Sequence, residues 1–182
     1  NEFAARFPNA VAGIATLIFL YHAGRKLLNE NFGLIWAIAH GVSVLPFIYF
    51  KSGIIDPWFN LFIFIGIYFY LITQKEESEQ LKYKWILFSA IFMGLAVLTK
   101  GPVAILIFGL LAIILLITNR FSLSMNAGHV FAFIGVFTLT GGFWFILQIL
   151  NGNGQTIVDF IVYQIRLFTE KDAGHGGFPF YH

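Results

Sequence analysis

The sequence contains no cysteine, and this absence narrows the chemistry available to the protein. A disulfide framework, a thiolate zinc site and a cysteine nucleophile are all excluded, so any metal site must use His, Asp or Glu. Charged residues are also scarce, at 11% of the chain, against about 25% in an average soluble domain. An ordinary soluble globule is therefore excluded. Intrinsic disorder is excluded too, because it requires low hydrophobicity and high net charge.

Positive charge is too sparse for nucleic-acid binding. The chain has 11 Lys and Arg residues against 9 Asp and Glu, which gives a net charge of +2. Binding to a nucleic-acid backbone depends on many basic side chains that neutralise phosphates. We therefore expect no nucleic-acid partner.

Apolar residues are abundant, at 58% of the chain, and 19% of all residues are aromatic. A membrane-spanning helix needs about 20 mostly apolar residues to cross roughly 30 Å of hydrocarbon. Polar clusters divide the sequence into about six such stretches: residues 8–28, 32–50, 57–73, 83–98, 102–118 and 129–150. The predicted fold class is an all-α polytopic membrane protein with about six transmembrane helices.

The character of the sequence changes after residue 150. A flexible turn is predicted at 151–154, and residues 156–169 have the apolar spacing typical of an amphipathic helix on a membrane surface. We predict a transmembrane domain over 1–150 and an extracytoplasmic loop with an amphipathic helix over 151–182. Because the chain lacks an initiator Met and stops abruptly, we expect it to be an internal piece of a longer membrane protein.

The basic residues near the ends of the stretches fall into two sets, on opposite sides of the membrane if the spans alternate. One set is Arg25, Lys26, Lys75, Lys82, Lys84 and Arg120, and the other is Arg6, Lys51, Lys100, Arg166 and Lys171. The positive-inside rule favours the cytoplasm for the first set. On the other side, charged residues lie among glycine, proline and aromatics: Lys51, Asp56, Lys100, Arg166, Asp172 and His175. We therefore predict the functional site on the extracytoplasmic side, with Lys51 among its substrate-binding residues.

Asp56 and Lys100 lie at the outer ends of two stretches that appear short in the sequence. Residues 58–72 and 85–98 extend only about 21–23 Å at 1.5 Å per residue. Both charges would then be recessed in a polar cavity, and an ionisable residue at such depth marks a functional site. Asp56 also fits a plain helix N-cap. Lys100 also fits a plain turn lysine that reaches for head groups. Its neighbours Gly101 and Pro102 allow a tight backbone around a buried ammonium, which suits the binding of a phosphate.

The segment from 172 to 182 is rich in glycine and aromatics and contains His175. Neutral imidazole is the commonest metal ligand, so His175 is a candidate ligand for a divalent metal. The alternative is a hydrogen bond from His175 to a substrate or an aromatic partner. The other histidines lie within or at the ends of apolar stretches, and we expect them to serve helix packing or the interface. They are His22, His40 and His129.

Four motifs occur in order along the chain, at residues 3–10, 53–57, 94–102 and 172–181. The most specific are the Leu-Thr-Lys-Gly block that contains Lys100 and the Asp-Ala-Gly-His block that ends at His175. Together they resemble the ArnT-like and protein-O-mannosyltransferase-like glycosyltransferases of the GT-C class, over nearly the whole chain. The resemblance implies an integral enzyme of the bacterial inner membrane. Such an enzyme takes a sugar from a polyprenyl-phosphate carrier on the extracytoplasmic face and transfers it, with inversion, to a lipid or protein acceptor.

The resemblance also implies roles for individual residues. Lys100 is similar to the family's lysine beside the lipid phosphate, and Asp56 to the acidic residue at the cavity wall. His175 is similar to the histidine near a divalent metal, and Arg166 to the arginine upstream of it, with the spacing shifted by about one residue. The family's catalytic acidic residue lies in an earlier extracytoplasmic loop, so this piece alone is expected to be inactive.

The implied reaction suits these residue types. Displacing a polyprenyl phosphate requires cations at the leaving oxygen and a carboxylate that takes the acceptor proton. Lys100, Arg166 and a metal on His175 would supply the cations. A secondary transporter is the main alternative, because broken helices and buried charges also line substrate paths. The absence of an internal repeat counts against it. A structural membrane subunit is the third alternative, and it leaves residues 172–182 unexplained.

Overall fold

The computed structural model describes residues 2–101, 103–118 and 125–169. Within these ranges all regular structure is helical and no strand occurs, which confirms the predicted all-α class. The chain divides into two compact units, the first ending at Gly141 and the second beginning at Gly142. The boundary expected after residue 150 separates a transmembrane domain from an extracytoplasmic loop. That division stays a prediction.

The first unit consists of long helices joined by short turns. Asn29 caps the second helix, since its side chain accepts a hydrogen bond of 2.9 Å from the backbone N–H of Phe32. Pro46 lies in the first turn of the third helix, where its missing N–H is tolerated. The helices are α1 (Glu2–Leu27), α2 (Glu30–Val42), α3 (Val44–Lys51), α4 (Asp56–Lys75), α5 (Glu79–Lys100), α6 (Val103–Thr118) and α7 (Ala127–Gly141).

Helices α4 and α5 form an antiparallel hairpin at the centre of this unit. The buried Ser89 hydroxyl of α5 donates a hydrogen bond of 2.8 Å to the carbonyl of Gly66 in α4. A Cβ atom added to Gly66 would lie 2.7 Å from the Met93 sulfur, so the missing side chain lets the two helices approach closely. These contacts fix the register of α4 against α5.

Helices α5 and α7 also meet at small residues. A Cβ atom on Gly94 would lie 2.7 Å from the Thr140 Cβ and 2.9 Å from the Gly141 nitrogen. Gly94 and Gly141 therefore allow a close contact between the two helices. Gly109 and Gly135 serve no such contact, because an added Cβ there would meet nothing within 4 Å.

Three helices are long and apolar enough to cross a membrane: residues Arg6–Leu27 of α1, and all of α4 and α5. Helices α2 and α3, bent by 65° at Ser43, pass the same test as one broken span. A second broken pair in residues 127–150 raises the number to five. All six predicted stretches are helical, but α6 has only 16 residues, so the described residues contain three to five candidate spans. The protein is a polytopic membrane protein.

The expectation of two short spans is wrong. Helix α4 has 20 residues and α5 has 22, so they extend about 30 and 33 Å at 1.5 Å per residue. Both helices continue through polar residues such as Lys75 and Lys82, because straight-chain polar side chains are good helix formers. Asp56 and Lys100 lie at helix ends, and their recessed position in a polar cavity stays a prediction.

Large apolar side chains cover the outside of the first unit. On α6, Leu106 is 63% exposed, and Leu110 and Ile117 are each 61% exposed. A soluble protein rarely exposes so continuous an apolar face, whereas lipid tails solvate it. The exposed surface agrees with the membrane assignment.

The second unit contains α8 (Phe143–Leu150) and α9 (Gly154–Thr169) among its described residues. Gly152 makes the turn between them with a positive φ of 74°, a conformation that glycine adopts without strain. The ring of Phe160 packs against Trp144 and Phe145, with centroid distances of 5.5 and 5.7 Å. The predicted helix is present, and its place on a membrane surface stays a prediction.

Candidate functional site

An ion pair joins the two predicted site residues Asp56 and Lys100. The Lys100 Nζ lies 2.5 Å from the Asp56 Oδ1, although the residues are 44 positions apart in the sequence. The antiparallel α4/α5 hairpin brings them together, since α4 begins at Asp56 and α5 ends at Lys100. Their side chains are 26% and 36% exposed, so the pair stays accessible to a ligand.

Local sequence explains why both charges lie at helix ends. Pro57 in the first turn of α4 favours a helix start, and Gly101 with φ 69° ends α5. A carboxylate near a helix N-terminus and an ammonium near a C-terminus both suit the helix dipole. The simpler N-cap role of Asp56 is wrong. Ile55 occupies the N-cap position, and the Asp56 carboxylate accepts a hydrogen bond from the Lys100 ammonium.

The ammonium group of Lys100 also lies over an aromatic ring. Its Nζ is 5.3 Å from the centroid of Phe59, within the range of a cation–π contact. Phe59 is held in place because it belongs to a buried cluster with Ile63, Ala96 and Ala104. Lys100 is therefore oriented by both a carboxylate and a fixed ring.

Asn9 holds the loop that leads into Asp56, and it was not among the predicted site residues. Its buried amide donates hydrogen bonds of 2.6 Å to the carbonyls of both Ser52 and Ile54. These bonds attach the α3–α4 loop to α1. An amide within an apolar helix was the signal in the sequence, because a buried amide must find partners.

A cavity of about 360 Å³ lies between α1, α2, α3 and α4. Its lining is mostly apolar, with a few polar side chains that include His40, Tyr49 and Asn60. Pro57 and Asn60 place one wall of the cavity on the first turns of α4, next to Asp56. His40 lines this cavity, with its ring centroid 6.1 Å from that of Phe50.

The remaining predicted site residues are Lys51, Arg166 and His175. Lys51 is exposed at the end of α3, with its Nζ 4.0 Å from the ring centroid of Phe47. Arg166 lies in the last turn of α9, in the second unit. His175 lies outside the described residues. Within the described part of the chain, no group of three or more His, Asp or Glu residues could hold a metal ion. The metal on His175 stays a prediction.

A second polar cluster lies at the opposite end of the α4/α5 hairpin. The fully buried His129 of α7 accepts a hydrogen bond of 3.3 Å from the Asn126 N–H at its Nδ1. Its Nε2 lies 3.5 Å from the Glu79 Oε2, an ion-pair distance too long for a good hydrogen bond. The Tyr83 ring packs on the imidazole with a centroid distance of 4.1 Å. This cluster joins α5 to α7, as expected for a packing histidine.

Membrane-length helices with a partly exposed ion pair at one end define a polytopic membrane protein with a polar site. Residues 1–144 match the sequence profile of the dolichyl-phosphate-mannose-protein mannosyltransferase family, and the chain belongs to that family. It is therefore a membrane glycosyltransferase of the mannosyltransferase type, which decides against the transporter and structural-subunit alternatives. Neither a curated protein nor a solved structure matches the chain significantly.

Proposed function

We propose that the protein takes a sugar from a polyprenyl-phosphate carrier on the extracytoplasmic face and transfers it, with inversion, to a lipid or protein acceptor. The observation that carries this proposal is the contact of 2.5 Å between Lys100 and Asp56, in a chain that belongs to a mannosyltransferase family. We also propose that the membrane is the bacterial inner membrane.

Lys100 is proposed to bind the carrier phosphate. An ammonium group has three N–H donors, and here one is directed to Asp56 while the Phe59 ring covers another side. A donor remains for a phosphate oxygen, so the lysine keeps its orientation when the ligand arrives. A cation at the leaving oxygen stabilises the charge that develops there as the sugar departs.

Asp56 is proposed to position Lys100 near the apolar cavity that Pro57 lines. The Asp56 carboxylate holds the Lys100 ammonium at the open end of the α4/α5 hairpin. Asn9 in turn holds the loop that precedes Asp56. The neighbouring apolar cavity supports a lipid carrier, because a ligand site for an isoprenoid chain must be mostly apolar. The carboxylate that takes the acceptor proton is expected in an earlier loop of the full-length enzyme.

Three further contacts to the donor are proposed from the sequence: Lys51, Arg166 and a divalent metal held by His175. Lys51 lies at the end of α3, which precedes the loop that Asn9 attaches to α1. Arg166 and a metal would add positive charge near the leaving phosphate. Chelation of the full-length enzyme tests the metal, since inhibition that added metal reverses would support it.

Transfer by the full-length enzyme, with a radiolabelled polyprenyl-phosphate sugar, tests the phosphate role. Lys100→Ala is expected to lower the rate by about 100-fold, in the range lost when one charge-stabilising donor is removed. Lys100→Arg should recover only part, because a planar guanidinium does not replace a compact ammonium. Lys75→Ala is the matched control, since it removes a lysine at the opposite end of the hairpin. A wild-type rate in Lys100→Ala would refute the proposal.

A further inference from the structure

Two lysines from different helices converge on one indole, far along the hairpin from Asp56. The Nζ atoms of Lys26 in α1 and Lys84 in α5 lie 5.5 and 4.8 Å from the ring centroid of Trp85. The indole is itself fixed, because it stacks on Phe69 of α4 at 5.4 Å with an interplanar angle of 7°. Three membrane-spanning helices therefore build one cationic site, which we call the Trp85 site.

Neither ammonium group of the Trp85 site has a carboxylate partner among the described residues. Lys82 and Lys100 do have such partners, in Glu79 and Asp56. Two acidic residues at the helix ends on this side have other hydrogen-bond partners: Glu30 accepts from the Tyr21 hydroxyl, and Glu76 from backbone N–H groups. Two like charges on one ring repel each other, and an anion between them would relieve that repulsion.

The position of the Trp85 site favours a lipid ligand. Tryptophan is enriched at membrane–water interfaces, and Trp85 lies in the second turn of a spanning helix. The positive-inside rule favours the cytoplasm for this end, where anionic lipids give the leaflet a negative surface potential. A zwitterionic lipid would bring its own ammonium group towards two lysines and is disfavoured.

We propose that Lys26, Lys84 and Trp85 bind the phosphate of an anionic phospholipid. The two ammonium groups contact the phosphate oxygens, and the acyl chains lie along the apolar surface of α1, α4 and α5. The site is separate from Asp56 and Lys100, so the proposal does not depend on the donor or acceptor of the transfer reaction.

Native mass spectrometry of the full-length enzyme in detergent, titrated with phosphatidylglycerol or phosphatidylcholine, tests this proposal. Wild type should bind phosphatidylglycerol more tightly. The double variant Lys26→Gln/Lys84→Gln should lose about tenfold or more in that affinity, since each lysine near an anionic surface contributes about 1 kcal/mol. The double variant Arg25→Gln/Lys75→Gln removes the same charge at the same end and should bind as wild type does.

Further measurements separate a lipid site from a general charge effect and from a free-anion site. Trp85→Leu keeps both charges but removes the aromatic ring that both ammonium groups contact, so it should also weaken phosphatidylglycerol binding. Equal binding of the two lipids by wild type would overturn the proposal, as would equal losses in the two double variants. Displacement of phosphatidylglycerol by millimolar inorganic phosphate would overturn it too, because the site would then hold a free anion.

Discussion

The two ends of the α4/α5 hairpin both place a carboxylate beside a basic side chain, but they differ in what surrounds it. At one end, Lys100 and Asp56 are partly exposed and have one aromatic neighbour in Phe59. At the other end, Glu79 meets a fully buried imidazole, His129, within a wider set of hydrogen bonds. The first arrangement leaves N–H donors of Lys100 for a ligand. In the second, the imidazole of His129 is fully buried by the protein and its Nε2 has no hydrogen-bond partner among the described residues.

This difference indicates separate roles for the two ends. A partly exposed ion pair contributes only about 0–1 kcal/mol to stability, so stability is a poor reason for the Lys100–Asp56 pair. Removing the fully buried His129 ring is expected to cost more, because it opens a gap and leaves the Asn126 N–H without its side-chain acceptor, a loss of about 1–3 kcal/mol. We therefore propose that the Asp56 end serves the reaction and that the Glu79 end serves helix packing.

The largest expected effect is on the transfer rate of Asp56→Asn. The variant loses the charged partner that holds Lys100 at 2.5 Å, and a misplaced catalytic group can lower a rate by about 100-fold. Thermal unfolding of the same variant should change by less than about 1 kcal/mol, as for an exposed pair. A large loss of stability with an unchanged rate per folded enzyme would reverse the assignment of the two ends.

His129→Ala should give the opposite result. Removing the imidazole leaves the Asn126 N–H without its side-chain acceptor and opens a gap beside Tyr83. We expect a loss of about 2–3 kcal/mol in the free energy of unfolding, with the transfer rate per folded enzyme unchanged. His22→Ala is the control, because that ring contacts its chain neighbour Tyr21. A catalytic defect in fully folded His129→Ala would contradict the packing role.

Gly94→Ala tests the contact between α5 and α7 on which the Glu79 end depends. The added methyl would lie 2.7 Å from the Thr140 Cβ, and overpacking of this kind costs about 1–3 kcal/mol. Gly109→Ala should be neutral or stabilising, because an added Cβ there meets nothing within 4 Å. Chemical denaturation in detergent compares the two variants, and equal stabilities would argue against the close α5–α7 contact.

The smallest effect is expected for Glu79→Gln. Its side chain is 60% exposed and retains an oxygen that accepts from Asn126 or Lys82. We expect a change below about 1 kcal/mol in the free energy of unfolding, and less at high salt. A loss near that of His129→Ala would show that the carboxylate, and not the ring packing, holds α7 against α5.

Hydrophobic length and helix-ending residues made much of the fold predictable. Pro57 and Gly101 indicate the helix ends at Asp56 and Lys100, and alternation of the spans places both charges on one side. The contact between them was not predictable, because it depends on the register of α4 against α5. That register is fixed by side-chain packing at Gly66 and Met93, which a hydropathy pattern does not contain.

Two other features of the structure differ from what the sequence predicts. The length of α4 and α5 was underestimated because polar helix formers extend both helices beyond their apolar stretches. The role of Asn9 was missed, although it lies in the motif at residues 3–10, because its partners Ser52 and Ile54 are backbone groups of a distant loop. Every residue has a backbone carbonyl, so the sequence alone does not identify which carbonyls accept the hydrogen bonds of Asn9.

A charge swap tests the central claim that Lys100 and Asp56 serve the reaction and not the fold. The double variant Asp56→Lys/Lys100→Asp restores an ion pair at the same helix ends, at a cost of about 0.3–1 kcal/mol per helix dipole. We predict a folded enzyme whose transfer rate stays about 100-fold below wild type, because a carboxylate then replaces the ammonium that binds the phosphate and repels it. Recovery of the swapped enzyme to near the wild-type rate would contradict the claim, since the pair would then act only as a structural contact.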